Sequence, residues 1–184
     1  MVSEINTVGI AGAGTMGQGI AISCALAGYT TKVFDVNEQA CSRALILVEK
    51  VINQLVEKGK ITNSASAEAL GRITITTTIN QLRADLFIEA IAENLMLKQN
   101  LFKQVEELNE GKAILASNTS SLSISKIASG LTDPTRCVGL HFFNPANIMK
   151  LVEVVAGEKT APEIIEVLKS FAKSIGKVSV LVKD

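Results

Sequence analysis

The 184-residue chain is 47% apolar and 20% charged, the balance of a folded domain rather than a disordered segment. Eighteen Lys plus Arg face eighteen Asp plus Glu, so no global field points to nucleic acid or to a membrane surface. With no Trp and 4% aromatic residues, a base-stacking surface is also disfavoured.

Short apolar runs alternate with helix-period segments, the pattern of βαβ units around a parallel sheet. The first strand, Thr7–Ala11, runs into a glycine-rich turn and a helical stretch at Gly19–Leu26. After a second strand, Thr31–Phe34, Asn37 reads as the N-cap of a long helix. Ala44, Val48, Val51, Ile52, Leu55 and Val56 give that helix its apolar face, and Gly59 ends it. Strands follow at Ile73–Thr76 and Leu86–Glu89. The next helix carries a stripe of Leu97, Leu101, Val105 and Leu108 and stops at Gly111. Then come a strand at Ala113–Ser117, a short helix at Ile124–Ser129, and strands at Arg136–His141 and Leu151–Val155. Thr160 with Glu163 reads as a capping box for a last helix with Pro162 in its first turn, closing at Gly176 before the strand Lys177–Leu181. Several of these strands are continuously apolar, as expected where both faces of a sheet are covered.

The three cysteines, Cys24, Cys41 and Cys137, are scattered and share no metal-ligand spacing. They read as free buried thiols in a reducing compartment, with no metal site. No apolar run approaches the roughly 18 residues of a membrane span, and the N-terminus lacks the pattern of a secretory leader. The chain therefore reads as cytoplasmic, with no membrane partner.

Gly12, Gly14 and Gly17, with Thr15 and Met16 between them, form G-x-G-x-x-G between the first strand and first helix. Gly12 permits the tight turn, Gly14 admits a pyrophosphate to the backbone, and Gly17 permits close helix–strand packing. The helix N-terminus offers free N–H groups and a positive dipole end to the phosphates. Asp35, at the end of the next strand, suits the adenosine ribose hydroxyls and would repel a 2′-phosphate, so the cofactor reads as NAD. The fold class is a Rossmann-type, doubly wound α/β sheet, mostly parallel and flanked by helices, one domain over residues 1–184.

Two readings stand for Glu93 and Lys98, which follow the fourth strand. Either they reach the nicotinamide half of the cofactor, or Glu93 caps the helix beginning near Leu97 while Lys98 is solvated. Ser117–Ser121 likewise either hydrogen-bonds a substrate or nicotinamide oxygen, or caps the helix after it. His141, the only histidine, ends an apolar strand just before Phe-Phe-Asn-Pro, with Glu153 twelve residues on. A lone histidine is commonly structural, yet a carboxylate on one ring nitrogen would fix its tautomer and free the other to take a proton.

Gly12-Ala-Gly-Thr-Met-Gly17, Glu89-Ala-Ile-Ala-Glu-Asn94, Ala116-Ser-Asn-Thr-Ser-Ser121 and His141-Phe-Phe-Asn-Pro145 with Met149-Lys-Leu-Val-Glu153 resemble the NAD-binding domain of L-3-hydroxyacyl-CoA dehydrogenases. The resemblance covers essentially the whole chain, and it implies oxidation of a 3-hydroxyacyl-CoA to the 3-ketoacyl-CoA. It makes His141 the general base and Glu153 its orienting partner. It implies that Ser120 and Asn144 contact substrate and nicotinamide, that Asp35 binds ribose, and that Glu93, Lys98 and Asn118 line the cofactor cleft. Lys58, late in the long helix, becomes a candidate contact for the CoA phosphates.

Members of that family continue into a helical domain that closes the substrate cleft and forms the dimer. None of these 184 residues is expected to belong to that domain, so an exposed apolar patch is expected where it would dock. Two other readings stand beside this one. A sugar-acid dehydrogenase resembling the gulonate-type enzymes would use a similar His–Glu pair, and a non-catalytic NAD-binding module would need neither residue.

Overall fold

The computed structural model describes residues 4–184. In chain order the elements are β1 (Thr7–Ala11), α1 (Thr15–Leu26), β2 (Thr30–Phe34), α2 (Glu38–Glu57), α3 (Asn63–Gly71), β3 (Ile73–Thr76) and β4 (Leu86–Glu89). The second half holds α4 (Leu95–Leu108), β5 (Ile114–Ser117), α5 (Ile124–Ala128), β6 (Cys137–Phe142), β7 (Leu151–Ala156), α6 (Pro162–Ser174) and β8 (Val178–Lys183). The strands make one eight-stranded sheet in the order β3-β2-β1-β4-β5-β6-β7-β8. Every neighbouring pair is parallel except β6 and β7, which run antiparallel. The strand order reverses between β1 and β4, the crevice in which doubly wound sheets bind their ligands.

Apolar side chains cover both faces of the sheet. On one face Ile20, Ala21 and Cys24 of α1 and Ile164, Leu168 and Phe171 of α6 meet Val8, Ile10, Ile88 and Leu140. On the other, Phe102 and Val105 of α4 and Ile127 of α5 meet Phe87, Leu115 and Cys137. A third cluster joins Ile22 and Ala25 of α1 to Val48 and Ile52 of α2 and Ala69 of α3. Helix α1 is thus covered on two sides, which is why it shows almost no amphipathic period.

Asn37 caps α2 as expected, its side chain accepting from Ala40 N–H at 3.0 Å. Three details depart from the sequence reading. Helix α1 begins at Thr15 rather than Gly19, because the last part of the glycine motif is already helical. Helix α3 was not anticipated: its sequence is mostly small residues, only Ser66 and Ala69 are buried, and Thr62 caps it. The capping box at Thr160 does not form. Ala161 is the N-cap of α6 with no side-chain cap, while the Thr160 hydroxyl accepts from Gly157 N–H at 2.9 Å and donates to Cys137 carbonyl at 2.6 Å.

Among the described residues no helix is long and apolar enough to cross a membrane. Val178, Val180 and Leu181 of β8, with Leu151, Ile148 and Met149, leave apolar surface exposed at the β7–β8 edge. All three cysteines are free and buried. Burial pushes the Cys24 and Cys137 thiols up to about 12 and raises Cys41 as well. The folded protein is therefore expected to resist a thiol-specific chromogenic reagent at mildly alkaline pH, with all three groups reacting after denaturation. Rapid labelling of any thiol in the folded protein would contradict this burial.

Candidate active site

The glycine loop is pinned from both sides of the crevice. Gly12 N–H donates to Phe34 carbonyl at 2.7 Å, and Ala13 N–H donates to the Asp35 carboxylate at 2.9 Å. Gly12 has φ +105°, and a Cβ there would lie 2.4 Å from Ala90 carbonyl oxygen, so the loop also abuts the chain leaving β4. A Cβ on Gly17 would lie 1.8 Å from Gly12 carbonyl oxygen, which is the close helix–strand approach the motif predicts. Gly14 differs: nothing lies within 4 Å of where its Cβ would be.

That opening fits a pyrophosphate. No side chain caps α1, and its first turn holds no acidic residue. Its early backbone N–H groups and positive dipole end face the space over Gly14. Thr15 is exposed beside them and Met16 is half-buried against the core. Asp35 stands at the C-terminal end of β2, with its oxygens accepting from Ala13 and Asn37 N–H, both at 2.9 Å. The carboxylate therefore shapes the loop, and its remaining lone pairs can accept ribose hydroxyls.

Across the crevice, Lys98 does not line the cleft as expected. Its side chain is 1% exposed and its ammonium meets Glu89 Oε1 at 2.6 Å and Glu93 Oε2 at 3.1 Å. Neither open reading of the lysine survives, since it is not solvated either. Glu93 does face outward and does not cap α4; Asn94 does that, accepting from Leu97 N–H at 3.1 Å. Burial raises the Glu93 carboxyl, but hydrogen bonds from Thr119, Lys98 and Ser121 more than reverse this and hold it below the ordinary range.

The segment after β5 is a junction rather than a helix cap. Asn118 N–H donates to Glu89 carbonyl at 2.8 Å, and its side-chain oxygen accepts from Phe142 N–H at 2.8 Å. One residue thereby ties the ends of β4, β5 and β6. The cap of α5 is Ser123, whose hydroxyl accepts from Lys126 N–H at 3.2 Å. Asp184 reinforces it, accepting from Ser123 Oγ at 2.8 Å, Ile124 N–H at 2.7 Å and Ser125 N–H at 2.8 Å. Asp184 was not singled out from the sequence, where nothing links it to a segment sixty residues away.

His141 and Glu153 are direct cross-strand partners in the antiparallel β6–β7 pair. Nδ1 lies 2.9 Å from Glu153 Oε2, with side chains 18% and 31% exposed respectively. A carboxylate on Nδ1 selects the tautomer or charge state in which that nitrogen carries a proton, leaving Nε2 for proton exchange. Both residues line a cavity of about 290 Å³ together with Ser120. Asn144 is exposed in the following turn and is not part of that lining. Lys58 lies elsewhere, in a groove of about 800 Å³ that also carries Lys60 and Lys150.

The chain matches the family model described as 3-hydroxyacyl-CoA dehydrogenase, NAD binding domain, over residues 7–184. It is 41% identical over 182 residues to a probable 3-hydroxybutyryl-CoA dehydrogenase of Bacillus subtilis, spanning 98% of this chain and 63% of that protein. With a 3-hydroxyadipyl-CoA dehydrogenase of Escherichia coli it shares 42% identity over 178 residues, 96% of this chain and 38% of that one. The crystal structure of a 3-hydroxybutyryl-CoA dehydrogenase from Escherichia coli superposes with a TM-score of 0.96 at 41% identity, over 98% of this chain and 39% of that chain. The chain thus spans less than two thirds of the length of these relatives.

Proposed function

Because the chain belongs to the 3-hydroxyacyl-CoA dehydrogenase family, as its NAD-binding domain, we propose that it supplies the cofactor cleft and the acid–base pair for reversible oxidation of an L-3-hydroxyacyl-CoA to the 3-ketoacyl-CoA. The observation that carries this reading is the His141–Glu153 pair, 2.9 Å apart and opening on the same cavity as Ser120. A non-catalytic cofactor module needs no such pair.

His141 Nε2 takes the proton of the 3-hydroxyl, and Glu153 balances the imidazolium that forms. Ser120 donates a hydrogen bond to the reacting oxygen, and Asn144, exposed in the turn after β6, is the second candidate contact for substrate and nicotinamide. The space over Gly14 and the N-terminus of α1 would hold the pyrophosphate of NAD, which when bound would supply the hydride acceptor for C3. Glu93 and Asn118 would flank its nicotinamide, and Asp35 would hold its adenosine ribose. Lys58, with Lys60 and Lys150 in the neighbouring groove, suits the phosphates of the CoA moiety. In the longer relatives, the length beyond this region would close the cleft over the acyl group and carry the dimer contacts.

The relatives' acyl-CoA activities support this substrate over a polyol acid. The test is to supply NAD with L-3-hydroxybutyryl-CoA or, in parallel, a six-carbon sugar acid, and follow NADH formation. NADH is expected with the acyl-CoA alone; formation only with the sugar acid would move the protein to the gulonate-type reading.

A further inference from the structure

Beneath the cleft lies a charge pair that the acid–base chemistry does not use. Glu89, the last residue of β4, is 0% exposed, and Lys98 near the start of α4 is 1% exposed. Taking both charges out of water is costly and is offset only if their remaining donors and acceptors are satisfied. Here they are. Glu89 Oε1 accepts from Lys98 Nζ at 2.6 Å and from Ile91 N–H at 2.7 Å, while Oε2 accepts from Ser117 Oγ at 2.6 Å.

The contacts close into a ring. Ser117 Oγ accepts from Thr119 N–H at 3.2 Å, Thr119 Oγ1 donates to Glu93, and Glu93 returns to Lys98. Only Glu93 leads from this ring to the surface, its side chain 40% exposed, and it also accepts from Ser121 Oγ at 3.0 Å. Ser120 lies between the two hydroxyls that Glu93 holds, and Thr119, Ser120 and Ser121 all line the His141 cavity.

Stability alone does not account for this arrangement. An apolar pair of similar volume is often at least as stable as a buried ion pair. A cation in the first turn of a helix also opposes the helix dipole. What a fixed ammonium can do, and an apolar side chain cannot, is hold a half-exposed carboxylate in one place.

We propose that Glu89 is a positioning residue: through Lys98 and Ser117 it fixes the Glu93 carboxylate and the Thr119–Ser121 hydroxyls at the cofactor cleft without itself touching the cofactor. This rests on the cofactor reading above. Lys98, on this account, is part of the mount and not a cofactor contact.

The test measures NADH affinity by fluorescence and melting temperature without ligand for wild type, Glu89→Gln, Glu89→Gln/Lys98→Met, Glu93→Gln and Glu89→Gln/Glu93→Gln. Glu89→Gln is expected to lower the melting temperature and weaken NADH binding about tenfold. The Glu89→Gln/Lys98→Met variant, with both buried charges gone, recovers much of the melting temperature but keeps the weakened affinity. With Glu93→Gln already present, adding Glu89→Gln costs no further affinity. Recovery of NADH affinity together with melting temperature in the Lys98→Met double variant would overturn the proposal, as would an additive affinity loss with Glu93→Gln. A wild-type chain that binds no NADH would instead refute the cofactor reading, before any variant is compared.

Discussion

Replacing His141 with alanine is expected to slow acetoacetyl-CoA-dependent oxidation of NADH by about 10²–10⁴-fold, the usual contribution of a positioned acid–base group. NADH affinity should not change, because His141 lies at the end of β6, three strands away from β1 and the glycine loop. Glu153→Gln keeps the shape and a hydrogen-bonding atom at 2.9 Å from Nδ1 but removes the charge that balances the imidazolium. A smaller loss, confined to kcat, is expected there. Steady-state rates measured beside an NADH titration check both variants. A fall in NADH affinity matching the fall in rate would mean that His141 holds the fold of the cleft rather than moving a proton.

The second large effect concerns two glycines that look alike in the motif. At Gly17 an alanine Cβ would sit 1.8 Å from Gly12 carbonyl oxygen and 3.0 Å from its carbonyl carbon. Both are backbone atoms, so relief requires moving β1's exit loop or α1 itself. Overpacking of this kind costs about 3 kcal/mol, which for a chain of this length lowers the melting temperature by roughly 6–12 °C. NADH binding should be lost with it. Gly14→Ala meets nothing within 4 Å and, with φ −75°, needs no unusual backbone. Its melting temperature should equal that of wild type while NADH affinity falls severalfold, since the added methyl enters the space assigned to the pyrophosphate. Thermal melts and fluorescence titrations of both variants separate the two roles. Undiminished affinity in Gly14→Ala would place the phosphates elsewhere.

These glycines were legible in the sequence because their neighbours declare a strand before them and a helix after them. The strands were legible for a related reason: runs such as Leu86–Ile88 are apolar without alternation, as burial on both faces requires. Helix α3 was not legible, because its contact with α1 and α2 rests on Ala69 and the neighbouring half-buried Leu70, too few apolar residues to show a helical period. Thr160 shows the opposite failure. Its spacing to Glu163 has the form of a capping box, but Cys137 carbonyl and Gly157 N–H compete for the hydroxyl and win. Local motif lost to tertiary contact.

The site was legible in its members more than in its geometry. His141 and Glu153 stand twelve residues apart, a spacing that brings them together only because β7 turns back antiparallel to β6 and pairs in that register. Lys98 was visible as a charged residue near the cleft, while its burial was hidden. The signal that could have exposed it was Glu89 itself, a carboxylate ending an otherwise apolar strand, which demands a cation nearby.

The most direct test of the account is a single-turnover experiment with the chain in excess over NADH. Acetoacetyl-CoA is added at saturation, NADH absorbance is followed, and His141→Ala is run beside wild type. Wild type is expected to consume the bound NADH and the variant to retain it over the same interval. NADH that binds yet stays reduced in wild type, or that is consumed equally by both proteins, would contradict it.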